Sequence, residues 1–264
     1  MKDIPRTVLI GHTGFVGSNL AAQRPYDVLC NSRNIAEITG GSFDLVVCAG
    51  VNAIKWKANK DPEADWQGIQ ALLEPLATIR AKRFILISTI DVYARPNLVT
   101  EADAPPEDNH AYGYHRLKVE QFVARHFPVY HIVRLPGIFG AGLKKNVIYD
   151  LLHDNCLDAI QPASAFQYYH LDHLSADLEK AAAHDVRVLN LATEPVSTQA
   201  IIDACTPGKR VGANAGPVAA YDFRSQHAAL WGGQGGYLYD APTVLAEIRT
   251  FMEKQQAQAG TCRV

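Results

Sequence analysis

The chain has 264 residues, 48% of them hydrophobic, and a formal net charge of −2. That length and apolar share suit one large α/β domain, or a large domain with a small appendage, and the charge excludes a basic field for nucleic acid or an anionic membrane. The five cysteines (Cys30, Cys48, Cys156, Cys205, Cys262) lack C-x-x-C spacing, no leader pattern opens the chain, and no apolar run nears the roughly 20 residues of a membrane span, so a cytoplasmic protein with reduced thiols is expected.

The first strand is predicted at Val8–Ile10. It runs into Gly11-His12-Thr13-Gly14-Phe15-Val16-Gly17-Ser18, and a helix is predicted over Phe15–Ala22. The spacing is G-x-x-G-x-x-G, a variant of the G-x-G-x-x-G dinucleotide fingerprint. Gly11 allows a sharp turn off the strand, Gly14 a close approach to a pyrophosphate, and Gly17 close packing of the helix, whose N–H groups and positive dipole end then face phosphates. A ligand-free glycine turn is the alternative, and the place of the loop straight after a first strand favours the dinucleotide.

A second strand at Val28–Cys30 ends in Asn31-Ser32-Arg33-Asn34. Sites for NAD usually carry an acidic residue there for the ribose 2′-hydroxyl. Here Ser32 and Arg33 stand instead, and a guanidinium suits a 2′-phosphate, so NADP(H) is favoured over NAD(H). The alternative is a solvent-facing arginine. The next crossover is short, with a single helical turn at Asn34–Ile38 before a strand at Leu45–Cys48. A helix over Asp65–Arg80 contains Pro75, which should kink or break it. A strand at Phe84–Ser88, a helix at Tyr112–His126 and a strand at Tyr130–Arg134 follow. Alternating strands and helices predict a mainly parallel sheet covered on both faces.

Beyond about residue 140 the pattern loosens. Helices are predicted at Asn146–His153, at Asp172–Ala183, from Ser197 and at Pro242–Lys254, with a strand at Val188–Leu191. Pro207–Pro217 reads as a loop and Gly232–Gly236 as a turn. The histidines, among them His110, His115, His126, His131, His170 and His173, form no ligand spacing such as H-E-x-x-H, so no metal is expected.

Four segments, in order, carry a family resemblance. They are Phe84-Ile85-Leu86-Ile87-Ser88-Thr89-Ile90-Asp91-Val92-Tyr93; Ala111-Tyr112-Gly113 through Glu120; Arg134-Leu135-Pro136-Gly137-Ile138-Phe139-Gly140; and Tyr168-Tyr169-His170-Leu171-Asp172-His173-Leu174. With the glycine loop, the chain resembles the extended short-chain dehydrogenases/reductases, the NAD(P)-dependent epimerase/dehydratase group. The resemblance implies a Rossmann-type doubly wound parallel sheet in residues 1–140, with 188–206 returning to it. A small substrate-binding portion would comprise 141–187 and 207–264. It implies cofactor contacts at Gly11, Thr13, Gly14, Phe15, Val16, Gly17, Ser32, Arg33, Ala49, Gly50, Ser88, Pro136 and Ile138. It also leaves open a homodimer through the helices at Asp65–Arg80 and Tyr112–His126.

The resemblance further implies a hydroxyl, a tyrosine and a cation around the nicotinamide. The family register puts the hydroxyl at Thr89. A free phenol has a pKa near 10 and needs a nearby cation to act as an acid/base at neutral pH. Two pairs qualify. Tyr114 and Lys118 spell Y-x-x-x-K, whereas Tyr112 and Arg116 keep the register. Positions two apart lie on opposite helix faces, and the apolar stripe Val119, Phe122, Val123 and Phe127 centres near Tyr112 and Arg116. Tyr112 and Arg116 are therefore favoured, with Arg116 holding the ribose and lowering the Tyr112 pKa.

Departures narrow the expectation. Asp65 stands where many relatives have asparagine. Ile90 replaces the aspartate of sugar 4,6-dehydratases, although Asp91 matches their glutamate, so dehydration is disfavoured. Phe166 replaces an arginine that often grips a substrate diphosphate. The leading expectation is an NAD(P)-dependent oxidoreductase or epimerase acting on a small molecule, a sugar or sugar-derived carbonyl or hydroxyl compound. The alternative is a non-catalytic NADP(H)-binding or redox-sensing protein.

Overall fold

The computed structural model describes residues 6–261. Its central element is strand β1 (Thr7–Ile10), whose Val8, Leu9 and Ile10 are buried. A strand buried on both faces needs neighbours on both edges. These are β2 (Val28–Cys30) and β3 (Ser42–Cys48), both parallel to it, with Ile10 opposite Cys30 and Cys48. The sheet continues in parallel through β4 (Arg80–Thr89) and β5 (Tyr130–Leu135) to β9 (Val188–Asn190), in the order β2-β1-β3-β4-β5-β9. The chain moves one way from β1 to β2 and the other way from β3 onwards. The switch point therefore lies between β1 and β3, and crevices at strand C-termini beside such points hold ligands in open α/β sheets.

The crossover from β2 to β3 is a single 3-10 turn, Ile35–Ile38, as its length required. Between β1 and β2 runs α1 (Phe15–Gln23). Between β3 and β4 the chain forms a six-residue helix, α2 (Lys55–Lys60), that the sequence pattern did not show, because Ala58 is its one buried residue. Asp61 then caps α3 (Pro62–Leu76) by accepting the Ala64 N–H at 3.1 Å. The helix stops one residue after Pro75, so its end is earlier than expected, and Arg80 opens β4 instead. Before β5 comes α4 (Ala111–His126). A core of Val8, Ile10, Val46, Phe84, Leu86, Val119, Val123 and Phe127 binds α4 to one face of the sheet.

The chain divides into two compact units. The first comprises the chain up to Pro96, Glu101–Leu135 and Asp172–Asn190; the second comprises Asn97–Thr100, Pro136–Leu171 and the chain from Leu191. The second unit contains β6 (Gly137–Phe139), α5 (Val147–His153), β7 (Ala165–Phe166) and β8 (Tyr168–His170). It also holds β10 (Val196–Ser197), α7 (Thr198–Cys205) and α8 (Ala241–Thr261). Strand β6 pairs in parallel with β8, and β7 antiparallel with β10.

These boundaries differ from the sequence division in two places. Helix α6 (Leu174–Ala183) belongs with the sheet, where Ser175 donates its N–H to Gln23 Oε1 and Arg24 pairs with Glu179 at 3.0 Å. Of residues 188–206 only β9 returns to the sheet. Ile201 and Ile202 of α7 pack instead with Phe139, Ile148, Val244 and Ile248 in the core of the second unit.

Candidate active site

The turn after β1 is built around its glycines. Gly11 adopts φ +85°, and a Cβ there would lie 2.4 Å from the Ala49 carbonyl oxygen. A Cβ on Gly17 would lie 2.1 Å from the Gly11 oxygen, so Gly17 lets α1 sit directly on the turn. Gly14 differs. It is exposed, and the nearest atom to its missing Cβ is the Gly11 oxygen at 3.3 Å. No side chain caps the start of α1 at Gly14. The first-turn N–H groups of a helix have no partner within it, so this end is a cradle suited to an anion. Ala49 and Gly50 follow β3 and pack against Gly11, while Thr13 is exposed and Phe15 and Val16 are half-buried.

Beyond β2, Asn31 and Asn34 shape the turn through their side chains. Asn31 Oδ1 accepts the Arg33 N–H at 2.8 Å, and Asn34 Oδ1 accepts the Asn31 N–H at 2.8 Å. Asn31 Nδ2 also lies 3.3 Å from His12 Nε2, which ties this turn to the glycine loop. Ser32 and Arg33 project from it into solvent, and Arg33 has no ion-pair partner among the described residues.

At the C-terminal end of β4 the Thr89 side chain stands close enough to the Tyr112 phenol to pull its pKa down. Thr89 Oγ1 also accepts the Asp91 N–H at 3.2 Å. Gly113, next to Tyr112, lets α4 touch this turn, since a Cβ there would lie 2.2 Å from the Asp91 oxygen. The Arg116 guanidinium lies over the Tyr112 ring, 4.0 Å from its centroid. Both terminal nitrogens of Arg116 are committed: Nη1 donates to Asp65 Oδ2 at 2.5 Å, and Nη2 to Asp65 Oδ1 at 2.9 Å and to the Asn52 carbonyl. His115 Nδ1 lies 2.8 Å from Asp65 Oδ2, so one buried carboxylate serves two side chains.

This arrangement corrects the expected effect on Tyr112. Burial raises the Tyr112 pKa; Arg116 pulls it down, Asp91 pushes it up, and Thr89 and Lys55 pull it down, leaving it above the ordinary phenol value. Arg116 acts in the expected direction, but burial outweighs it. Burial likewise pushes Asp65 up, and the bonds from Arg116 and His115 more than reverse that, holding its carboxyl below the usual range.

A family model described as the NAD dependent epimerase/dehydratase family matches residues 7–155. The chain belongs to that family. No curated protein matches it in sequence. Among solved structures, the UDP-glucose 4-epimerase of Thermotoga maritima with UDP-glucose is similar at 15% identity and TM-score 0.72, over 96% of this chain and 99% of that one. The UDP-glucose 4-epimerase of Stenotrophomonas maltophila, with NAD and formylated UDP-arabinopyranose, gives 15% and 0.67 over 97% and 100%. The dTDP-4-dehydrorhamnose reductase of Bacillus anthracis, with NADP, gives 17% and 0.66 over 88% and 95%. At these identities the likeness establishes the α/β fold.

In this epimerase/dehydratase chain Ser88 does not face the Thr89 side. Its hydroxyl donates to Glu120 Oε1 at 2.5 Å, in a buried network where Arg134 grips Glu120 and donates to the Tyr93 hydroxyl at 2.7 Å. The side chain expected at a cofactor is therefore committed elsewhere, which leaves its backbone for such a contact. Tyr114 and Lys118 are half-buried on the other face of α4, where the Lys118 ammonium lies 4.5 Å from the Tyr114 ring centroid and 4.7 Å from that of Trp66. Pro136 and Ile138 belong to the second unit, where Ile138 accepts a bond from Asn146 Nδ2 at 3.0 Å.

Sequence reasoning missed one group at this site. Lys55, at the start of α2, pairs with Asp91 at 2.8 Å, and Asn59 one turn later accepts the Tyr112 N–H at 2.9 Å. Nothing in a polar six-residue helix signals this. No helix among the described residues is long and apolar enough to cross a membrane.

Proposed function

We propose that the chain is an NADP(H)-dependent reductase or epimerase acting at a carbonyl or hydroxyl carbon of a sugar nucleotide or related sugar compound. The observation that carries this reading is buried Tyr112, with the Arg116 guanidinium 4.0 Å from its ring centroid and Thr89 of β4 beside it. The similar structures support the substrate class, since their ligands include UDP-glucose and formylated UDP-arabinopyranose. Both cofactor forms occur among them, NAD in one and NADP in another.

The residues present fit a dinucleotide. Gly11, Thr13, Gly14, Phe15, Val16 and Gly17 form the uncapped, open turn for the pyrophosphate, with Ala49 and Gly50 beside it. Ser32 and the unpaired Arg33 suit a 2′-phosphate. A bound nicotinamide would supply or accept the hydride. Thr89 orients the substrate oxygen, and Tyr112 exchanges a proton with it. Because burial holds Tyr112 above the ordinary phenol pKa, the phenol is protonated at neutral pH and ready to donate in the reductive direction.

Arg116 favours a second reading. With its terminal nitrogens spent on Asp65 and Asn52, it has little left for a ribose, as in a binding protein that has lost chemistry. Fluorescence titration with NADPH and NADH tests the cofactor assignment. NADPH should bind more tightly, and Arg33→Ala should weaken it by about 10- to 100-fold, the worth of one charge-assisted contact. Equal affinity of the wild type for both sinks the NADP(H) assignment. Turnover of UDP- and dTDP-linked sugars and their 4-keto forms separates enzyme from binding protein.

A further inference from the structure

The two faces of the parallel sheet are covered unequally. Helices α3 and α4 close one face, where Ile69, Leu76, Val119 and Val123 pack with Val46 and Phe84. Side chains alternate along a strand, so Leu45, Val47, Arg83 and Ile85 point to the other face. The register sets Leu45 beside Arg83 and Val47 beside Ile85. Helix α6 lies over these strands, tied to the end of α1 by the Ser175–Gln23 bond and the Arg24–Glu179 pair.

The stripe of α6 that faces the strands is Ser175, Leu178, Glu179, Ala182 and Ala183, the spacing of one helix face. Leu178 is its one long apolar side chain. The serine and alanines are too short to fill the space above the sheet, and a cleft of about 210 Å³ remains. Its floor is apolar, since Val47, Ile85, Leu178 and Ala182 are all buried. Its rim is charged. Arg24 stands with its guanidinium 5.1 Å from the Tyr26 ring centroid, and its Nη1 pairs with Glu179 Oε1 at 3.0 Å, so these two charges cancel. Arg83 is exposed two residues from Ile85 on the same strand face, and it has no ion-pair partner among the described residues. The cleft therefore combines an apolar floor with one uncompensated positive charge at its mouth.

We propose that this cleft binds a small arylalkanoate, an organic carboxylate with a compact apolar ring. A cavity of about 150 Å³ lined by aliphatic side chains holds benzene, so 210 Å³ accommodates a ring with a short chain. The ring lies on Val47, Ile85 and Leu178, and the carboxylate meets Arg83, whose planar fork matches it. The anion stays at the rim, so its charge is paired without full loss of hydration. The glycine turn opens α1, whereas Arg24 and Tyr26 follow its other end, nine residues or about 13 Å along the helix. This site is thus separate from the dinucleotide turn, and the chain can hold both ligands at once.

The test is an NMR titration of the full chain, methyl-labelled at isoleucine, leucine and valine, with 3-phenylpropanoate. Ile85→Val assigns the Ile85 methyl. That resonance should shift with a Kd of roughly 0.1–5 mM, the range for a ligand of about eleven non-hydrogen atoms. Arg83→Gln should weaken binding about tenfold or more, as loss of one charge-assisted pair does. The neutral 3-phenylpropanamide should bind the wild type as weakly. Ala182→Leu fills the cleft and should abolish the shift, and Arg83→Gln, at an exposed position, keeps the test open if Ala182→Leu does not fold. Added NADPH should leave the shift in place. An Ile85 resonance unmoved by a large excess of 3-phenylpropanoate overturns the inference, as does equal binding of acid and amide. A shift reversed by NADPH puts the probe in the dinucleotide turn, and one produced by raising the protein concentration alone puts a second copy on the cleft; either result also overturns it.

Discussion

Helix α4 carries two tyrosine–cation pairs with the same i,i+4 spacing, and their surroundings are opposite. Tyr112 and Arg116 are buried against the end of β4, with the guanidinium over the ring and anchored by Asp65. Tyr114 and Lys118 are half-buried against Trp66 of α3. The literal Y-x-x-x-K spelling belongs to the pair away from Thr89. Spacing along a helix brings two side chains together but does not say what else they meet; the face of the helix decides that.

The largest expected contrast is in turnover. Tyr112→Phe keeps the ring and its contact with Arg116 and removes only the hydroxyl beside Thr89. With a sugar substrate in hand, turnover should fall by about 10²- to 10⁴-fold, the range for loss of a general acid/base. Tyr114→Phe should leave it within about twofold, because that hydroxyl lies on the other face. Steady-state rates for the two variants decide between the pairs, and the reverse result would transfer the acid/base role to Tyr114.

The next contrast is in stability. Asp65→Ala strands the Arg116 charge in a buried site, and breaking such a pair costs about 3–5 kcal/mol. Urea denaturation should show this as a lowered midpoint. The folded pKa of Asp65 is depressed, so its contribution is present above the unfolded value near 3.9 and is lost as pH falls through the lower folded value. The deficit of Asp65→Ala relative to wild type should therefore be full at pH 7 and shrink only below about pH 4. Asp65→Asn with Arg116→Lys, a neutral acceptor beside a compact cation, should recover part of the loss. A double-mutant cycle measures the recovery.

These contrasts show what the sequence made legible. Alternating apolar runs and the three glycines placed the parallel sheet and the turn after its first strand, where Gly11 and Gly17 have no room for a Cβ. The apolar stripe through Val119 and Val123 put Tyr112 and Arg116 on the sheet-facing side of α4. Two kinds of information were hidden. Partners distant in sequence, such as Asp65 for Arg116 or Glu120 for Ser88, carry no local pattern. Lys55 sits on a helix too short and polar to show a period, positioned by Asn59 and Asp91 rather than by burial. The core that α7 joins was hidden too, because the apolar face of so short a helix, with Ile201 and Ile202, does not say which core it meets.

The smallest expected effect tests the exposed pair alone. Lys118 stands over two aromatic rings, Tyr114 at 4.5 Å and Trp66 at 4.7 Å, and half-exposed cation–π contacts contribute about 0.5–1 kcal/mol. Lys118→Ala also removes the aliphatic stem of a half-buried side chain, so its cost should stay near the upper end of that range. Urea denaturation should thus show a loss of about 1 kcal/mol, several-fold below that of Asp65→Ala, and the Tyr112 resonance should titrate as in wild type. Trp66 fluorescence should change on the same substitution, because the ammonium leaves its ring face. If Lys118→Ala instead moved the Tyr112 titration, the two faces of α4 would share one electrostatic environment. Burial would then have misjudged which cation Tyr112 answers to.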